Sequence, residues 1–337
     1  MIASMRLLLT SWRMLPALAK RSTRSVTLES TRAAQFHEYG TPDVMRVEEV
    51  DEPHAEAGEI RVKVVASAIS PGEVRIRSGA VRDFAPVNFP FRTGFDAAGV
   101  VDEVGEGISG VAVGDEVFGM AHPAVRGKNA DQAVLVAWAA KPEGWSWSEA
   151  AGAAGAVEAG TRVLGILGME AGETVLINGA AGGTGSVVAQ LVIARGAHVI
   201  GTASETNHAY LSSLGVRPTT YGPNLPARIR ELLPEQTVDA VIDCAGGNLA
   251  ELAATAGGPA RVVTVADSEA ARYGVRFSHG GVDPLAVQGL AEVVGLAQAR
   301  SLQIRVAAEF PLADIAAAHA LSETRHARGT IVLDHRA

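Results

Sequence analysis

"TVLINGAAGGTGSVVAQLVIARGAHVIGTAS", residues 174–204, runs an apolar strand straight into Ala180-Ala181-Gly182-Gly183-Thr184-Gly185 and opens a helix at once. A glycine-rich turn lets backbone approach a pyrophosphate, and a helix N-terminus offers free N–H groups and partial positive charge. Ala180 stands where the dinucleotide fingerprint usually has its first glycine, and Gly185 stands where helix and strand must pack closely. With the strand before it and the helix after it, the turn predicts a dinucleotide site contacted by Ala181, Gly182, Gly183, Thr184 and Gly185.

The second strand of the unit chooses the cofactor. NAD sites place an acid at its end to hold the ribose 2′-hydroxyl. Here the strand ends in Thr202 and Ser204, with no carboxylate before Glu205. Hydroxyls accommodate a 2′-phosphate that an acid would repel, and Asn207 and Tyr221 could add donors, so NADP(H) is predicted.

Outward from this turn, strand and helix patterns alternate: strands at 173–179, 198–204, 238–245 and 261–267, helices at 185–195, 206–214, 248–256 and 289–300. Such alternation specifies a parallel sheet covered on both faces, with ligand outside the C-terminal strand ends. Cys244 and Ala245 close one of those strands, and Val265 and Ala266 close the next. An Ala-rich stretch, 146–168, precedes the unit, with Ser146 as helix cap and Glu149 three residues later.

Upstream the pattern is different. "EIRVKVVASAIS" (59–70) alternates apolar and polar residues and then turns apolar, and short β-runs separated by Gly, Pro and Asp continue to about residue 150. This reads as a β-rich barrel, with "GTIVLDH" (329–335) as a lone strand returning to it. The expected division is a leader, 1–31; a barrel domain, 32–150, joined by 300–337; and a dinucleotide-binding domain, 151–299. Residues 1–28 lack Asp and Glu and carry Arg6, Arg13 and Lys20, a composition shared by an N-terminal extension and a mitochondrial transit peptide.

Together these stretches resemble zinc-independent quinone oxidoreductases of the medium-chain dehydrogenase/reductase superfamily. The matches are "SAISPGEVRIRSGA" (67–80), "PFRTGFDAAGVVDEVGEGISGVAVGDEVFG" (90–119), "LINGAAGGTG" (176–185), "DAVIDCAGG" (239–247) and "ARGTIVL" (327–333). The resemblance implies a GroES-like barrel combined with a Rossmann doubly wound sheet, a homodimer, and NADPH-dependent reduction of quinones or α,β-unsaturated carbonyls. It also implies Phe277 near the nicotinamide. Zinc-dependent relatives carry a histidine where this chain has Phe95 and a cysteine within the segment that here holds only Ser67 and Ser70, so no metal is expected. Without zinc to polarise an alcohol oxygen, a conjugated acceptor that delocalises the incoming charge is the substrate to expect.

The chain departs from the family in two places. Where relatives read N-x-x-D-x-Y it has Ser70, Glu73 and Arg75, which makes Ser70 and Arg75 the candidate catalytic residues. Arg75 could stabilise a developing enolate by charge-assisted hydrogen bonding, or be a solvated surface residue. Where a threonine approaches the nicotinamide in relatives stands Ala159, beside Glu158, which is either a cofactor ligand or a helix-surface acid.

Composition excludes other classes. Of the 337 residues 47% are hydrophobic and 20% charged, and no run of eighteen apolar residues suggests a membrane span. A net charge of −8 argues against a nucleic-acid partner. One cysteine rules out an internal disulfide and a cysteine-rich zinc lobe, and with no mark of an oxidising compartment the expected location is cytoplasmic, or mitochondrial if residues 1–28 are a transit peptide.

Overall fold

The computed structural model describes residues 30–83, 85–121, 127–234 and 237–337. The expected leader therefore lies almost wholly outside the described residues.

The first part of the chain is built from β1 (Ser30–Phe36), β2 (Arg46–Asp51), β3 (Ile60–Ile69), β4 (Phe91–Arg92), β5 (Asp96–Val104), β6 (Glu116–Met120), β7 (Gln132–Leu135) and β8 (Ala137–Ala140), with helix α1 (Pro71–Arg77) inserted after β3. β3 shows why its sequence changes character. Its first half alternates buried and partly exposed residues, while Ser67 to Ile69 are buried without alternation where the strand runs under the rest of the molecule. Two register irregularities against β5, at Arg61/Val62 and Val64/Ala66, bend the strand as a closing barrel requires.

The Ala-rich stretch at 146–168 is two helices, α2 (Trp147–Ala151) and α3 (Ala154–Leu167), rather than one. Ser146 and Glu149 form the expected capping box on α2. The break falls at Gly152, where an added Cβ would lie 3.0 Å from the Thr330 side chain, so the chain turns at a residue that another strand crowds.

Six parallel strands follow: β9 (Thr174–Asn178), β10 (His198–Thr202), β11 (Arg217–Thr219), β12 (Ala240–Asp243), β13 (Val262–Thr264) and β14 (Arg276–Phe277). Helices α4 (Gly183–Ala194), α5 (His208–Ser213), α6 (Leu225–Leu232) and α7 (Leu249–Thr255) lie between them, and α8 (Gln288–Gln298) follows β14. Strand order is β11-β10-β9-β12-β13-β14. The chain leaves β9 for one side of the sheet and returns to its other side as β12, so a crevice opens outside the C-terminal ends of these two strands.

β15 (Val306–Pro311), α9 (Ile315–Glu323) and β16 (Thr330–Asp334) carry the chain back. The lone terminal strand joins the barrel sheet as expected: β16 pairs antiparallel with β3, Ile331 opposite Ile69 and Asp334 opposite Ala66. One core cluster runs from Phe118 and Trp145 through Val157 and Leu164 of α3 to Ile177, Val188, Leu290 and Val332, so barrel and parallel sheet share packed side chains. Among the described residues no helix is long and apolar enough to cross a membrane.

Candidate functional site

The glycine turn has the geometry its sequence demands. Gly179 takes φ +79°, and a Cβ there would sit 2.8 Å from Ala245 Cβ, so this residue makes the sharp exit from β9. Gly182 is the extended cap of α4. A Cβ on Gly185 would lie 2.2 Å from the Gly179 carbonyl oxygen, which leaves no room for any side chain. Ala180 is fully buried under Gly201, while Gly182, Gly183 and Thr184 are partly exposed at the first turn of the twelve-residue helix α4. The Gly182 N–H closes the turn onto the Gly179 carbonyl at 3.1 Å, while the N–H groups of Gly183 and Thr184 lack helix partners by position and face the crevice entrance, with Ala181 behind them.

Below the turn lies a feature the sequence reading missed. Asn178, Thr202, Asp243 and Thr264 end four adjacent strands in register and form one buried polar layer. Thr202 Oγ1 donates to Asn178 Oδ1 at 2.7 Å, Asn178 Nδ2 donates to Asp243 Oδ1 at 2.8 Å, and Thr264 Oγ1 donates to Asp243 Oδ2 at 2.6 Å. The same groups hold the loops above them. Gly179 N–H donates to Thr202 Oγ1 (3.0 Å), Ala245 and Gly246 N–H to Asp243 Oδ1 (3.1 and 2.9 Å), and Ala266 and Asp267 N–H to Thr264 Oγ1 (3.1 and 3.0 Å). Three loops of the crevice floor are thus tied to one carboxylate and its neighbours. Polar residues ending consecutive buried strands were the available signal.

Two residues expected at the cofactor are engaged within the protein. Thr202 is wholly buried and spends its hydroxyl on Asn178 and Gly179, so it supports the loop instead of reaching a phosphate. Asn207, also buried, donates through Nδ2 to Ser204 Oγ at 3.0 Å and braces the rim from inside. The open rim is made by Ser204, whose hydroxyl lies 3.0 Å from Thr206 Oγ1, and by exposed Tyr221 two residues beyond β11. Sequence order hid the rim's cation. Arg328, just before β16, donates from Nη2 to Thr206 Oγ1 at 3.1 Å, bringing a guanidinium to the end of β10 across 122 residues of chain.

The far end of the crevice gathers Arg75, Val265, Ala266 and Phe277. Arg75 Nη1 donates to the Ala266 carbonyl at 2.9 Å and Nη2 to Ser268 Oγ at 3.2 Å, so α1 of the barrel is pinned to the end of β13. Phe277 pairs with Thr264 in the sheet, is half-buried, and packs on His279 at 4.9 Å between ring centroids. Burial lowers the His279 pKa and neighbouring Arg162 lowers it further, against the pull of Asp283. Cys244 is a poor nucleophile: burial pushes its thiol pKa up, and the adjacent Asp243 carboxylate adds to the rise.

Neither reading of Glu158 anticipated its surroundings. It is 2% exposed, bound by Arg162 Nε at 2.8 Å and by Ala286 N–H at 3.1 Å. Arg162 continues to Ser278, whose hydroxyl donates to Asp283 at 2.7 Å. Burial alone would raise the Asp283 pKa, but hydrogen bonds from Ser278 and Arg276 and the charges of Arg276 and Arg162 hold it low. Glu158 thus anchors the β14 loop to α3 from inside rather than sitting on a helix surface.

Comparison with known proteins fits this geometry. Residues 56–204 match the family described as alcohol dehydrogenase GroES-like domain, and residues 220–333 match the zinc-binding dehydrogenase family. Across both parts of the chain the likeness is to medium-chain dehydrogenase/reductase proteins. A 2-methylene-furan-3-one reductase of Solanum lycopersicum is 32% identical over 213 residues, 59% of this chain and 54% of that protein. An NADPH-dependent alkenal/one oxidoreductase of Arabidopsis thaliana is 30% identical over 197 residues, 55% and 50% of the two chains. These matches span about half the length of the curated relatives. The quinone oxidoreductase structure from Coxiella burnetii superposes with a TM-score of 0.76 at 27% identity, over 91% of this chain and 99% of that one.

One of the two family descriptions includes zinc, and the described residues at the expected ligand positions are engaged otherwise. Ser67 Oγ is fully buried and donates to Asn129 Oδ1 at 2.8 Å. Ser70 caps α1, its Oγ accepting from Glu73 N–H at 3.2 Å while Glu73 Oε1 accepts from Ser70 N–H at 2.6 Å. Glu73 is itself buried and accepts from Gly94 N–H and Asn129 Nδ2. Phe95 packs on the main core. Among the described residues no three His, Cys, Asp or Glu side chains converge as a metal site would need.

Proposed function

We propose that this chain is a zinc-independent, NADPH-dependent oxidoreductase that reduces a quinone or an α,β-unsaturated carbonyl. The observation that carries the reading is the rim at the end of β10, where Arg328, Thr206 and Ser204 meet in place of a ribose-binding acid. A guanidinium among hydroxyls suits a phosphate dianion. The relatives named for NADPH, alkenals and quinones support it.

When bound, the nicotinamide supplies hydride to an acceptor carbon. The chain's residues do the rest by placement. Backbone N–H groups of Gly183, Thr184 and Gly185 hold the pyrophosphate at the helix end. Tyr221 adds a donor at the rim, and Ala245, Val265, Ala266 and Phe277 wall the nicotinamide end. Arg75 spends two N–H groups on Ala266 and Ser268. A guanidinium keeps further donors, and its charge favours the oxyanion that forms as the acceptor is reduced. Solvent then supplies the proton. Ser70 acts through α1, orienting Arg75 by capping the helix that carries it.

Arg75 in place of the family tyrosine also favours a second reading, in which a slow catalyst serves as an NADPH-binding redox sensor. The proposal includes a homodimer located in the cytoplasm, with a barrel domain of 32–150 plus 300–337 and a cofactor domain of 151–299. The test is oxidation of NADPH and NADH by a panel of quinones and enones, using protein without residues 1–30. NADPH-selective turnover supports the reductase. Tight NADPH binding without turnover selects the sensor, and failure to bind either cofactor overturns both.

A further inference from the structure

A second cavity, of about 370 Å³, opens in the barrel between β1, the loop after β2, β4 and β7. None of the crevice residues lines it. Its charged lining groups are Lys128, Arg92, His54, Glu56 and Glu59, and its wall is otherwise largely apolar, with Val50, Pro53, Ala130, Val134 and Val136 among the contributors.

Among the described residues three Lys or Arg side chains are buried, Arg77, Arg162 and Lys128, and of these only Lys128 has no carboxylate partner. Arg32, Arg61, Arg77, Lys141, Arg162 and Arg261 all lie against carboxylates. Lys128 and Arg92 make no side-chain hydrogen bond or ion pair with any described residue, in a chain whose acids outnumber its Lys and Arg 37 to 29. Lys128 is only 4% exposed. A buried ammonium without a partner is costly, and a protein that keeps one beside a cavity has a use for an anion there.

The remaining lining groups say which anion. Glu59 Oε2 is held by the Glu56 N–H at 3.0 Å, so Glu59 acts on Lys128 through its charge without forming an ion pair with it, and His54 leans on Glu103 at 3.2 Å. Both glutamates repel a dianion, which disfavours phosphate, while the apolar wall suits a hydrocarbon body. We propose that this cavity is a binding site for an amphipathic monocarboxylate, its carboxylate on Lys128 and Arg92 and its apolar tail along Val50, Pro53 and Val134. The site stands back to back with the crevice wall: Lys128 precedes Asn129, which bonds Glu73 and Ser67 on the other side of the strand layer.

Protonation is consistent with this. Burial holds the Lys128 pKa down to about 8, with Glu59 pulling it up and Arg92 pushing it further down. An incoming carboxylate restores the partner the ammonium lacks. Affinity should therefore fall as pH rises through about 8, where the amine loses its charge.

Calorimetric titration of the full chain with octanoate, octanol and inorganic phosphate tests the proposal, with and without saturating NADPH. The expected result is one saturable octanoate site unaffected by NADPH. It should weaken at least about tenfold in both Lys128→Met and Arg92→Met. Lys128→Met should also melt no lower than the parent, since it removes an unpaired buried charge; Arg92→Met, at a partly exposed position, gives the answer if the first variant does not fold. Octanol binding as well as octanoate, phosphate binding in its place, displacement by NADPH, or no octanoate binding at all would each overturn the proposal.

Discussion

Asp243→Ala is the perturbation that most directly probes the polar layer under the crevice. Its carboxylate is fully buried and accepts from four donors: Asn178 Nδ2, Thr264 Oγ1, and the N–H groups of Ala245 and Gly246. Removing the acceptor leaves those donors facing a small cavity. A buried donor without a partner costs about 1–3 kcal/mol. At the low end of that range, four donors give a loss of about 4 kcal/mol, and water entering the space offsets part of any larger figure. Asp243→Asn keeps one acceptor oxygen and the shape, so its loss should be less than about half as large. Urea unfolding followed by fluorescence gives both values. NADPH titration of the folded variants should show at least about tenfold weaker binding for Asp243→Ala, because the Ala245–Gly246 loop loses its anchor. A loss below about 1 kcal/mol with unchanged NADPH affinity would refute the argument that this carboxylate organises the crevice floor.

Arg328→Ala should lower the ratio of kcat/KM for NADPH over that for NADH by about tenfold or more, measured with one acceptor under initial-rate conditions, because it removes the rim's only assigned guanidinium. Thr202→Val should cost about 1–2 kcal/mol in urea unfolding and leave that ratio within about twofold, since its hydroxyl serves the loop and not the phosphate. His319 is fully buried on α9, and burial, aided by nearby Arg77, lowers its pKa from 6.5 to about 3. The unfolded chain then binds a proton that the native one refuses, so stability should be full above pH 6.5 and fall by up to about 1.4 kcal/mol per pH unit as pH drops from 6.5 toward 3. His319→Leu should flatten that part of the pH profile in acid-unfolding experiments.

Much of this was legible from local sequence rules. The glycine turn reads correctly because each glycine answers a backbone constraint: Gly185 cannot carry a Cβ beside the Gly179 carbonyl. The return of residues 330–334 to the barrel followed from a strand pattern left without a partner in the parallel sheet. What failed to show depends on contacts between distant residues. Arg328 reaches Thr206 only because β16 passes beneath the glycine turn, where Gly183 lies against Gly329 and Thr330. Glu158 looks like a surface acid until α3 is packed and Arg162, Ser278 and Asp283 close around it. The partner of Thr202 could not be read because the identity of a strand-end residue does not say whether its side chain points at the ligand or at the neighbouring strand. Ser70 is a capping residue, a role its spacing to Glu73 already encoded.

The central claim is hydride transfer to a conjugated acceptor without a metal. Its most direct measurement follows deuterium from 4,4-dideuterated NADPH into an enone product, by mass spectrometry, on protein dialysed against a strong chelator and assayed for zinc. The account predicts deuterium on the β-carbon of the product, at a rate equal to that of undialysed protein, with zinc far below one per chain. Loss of turnover on chelation with recovery on adding zinc, or product that carries no deuterium, would contradict it.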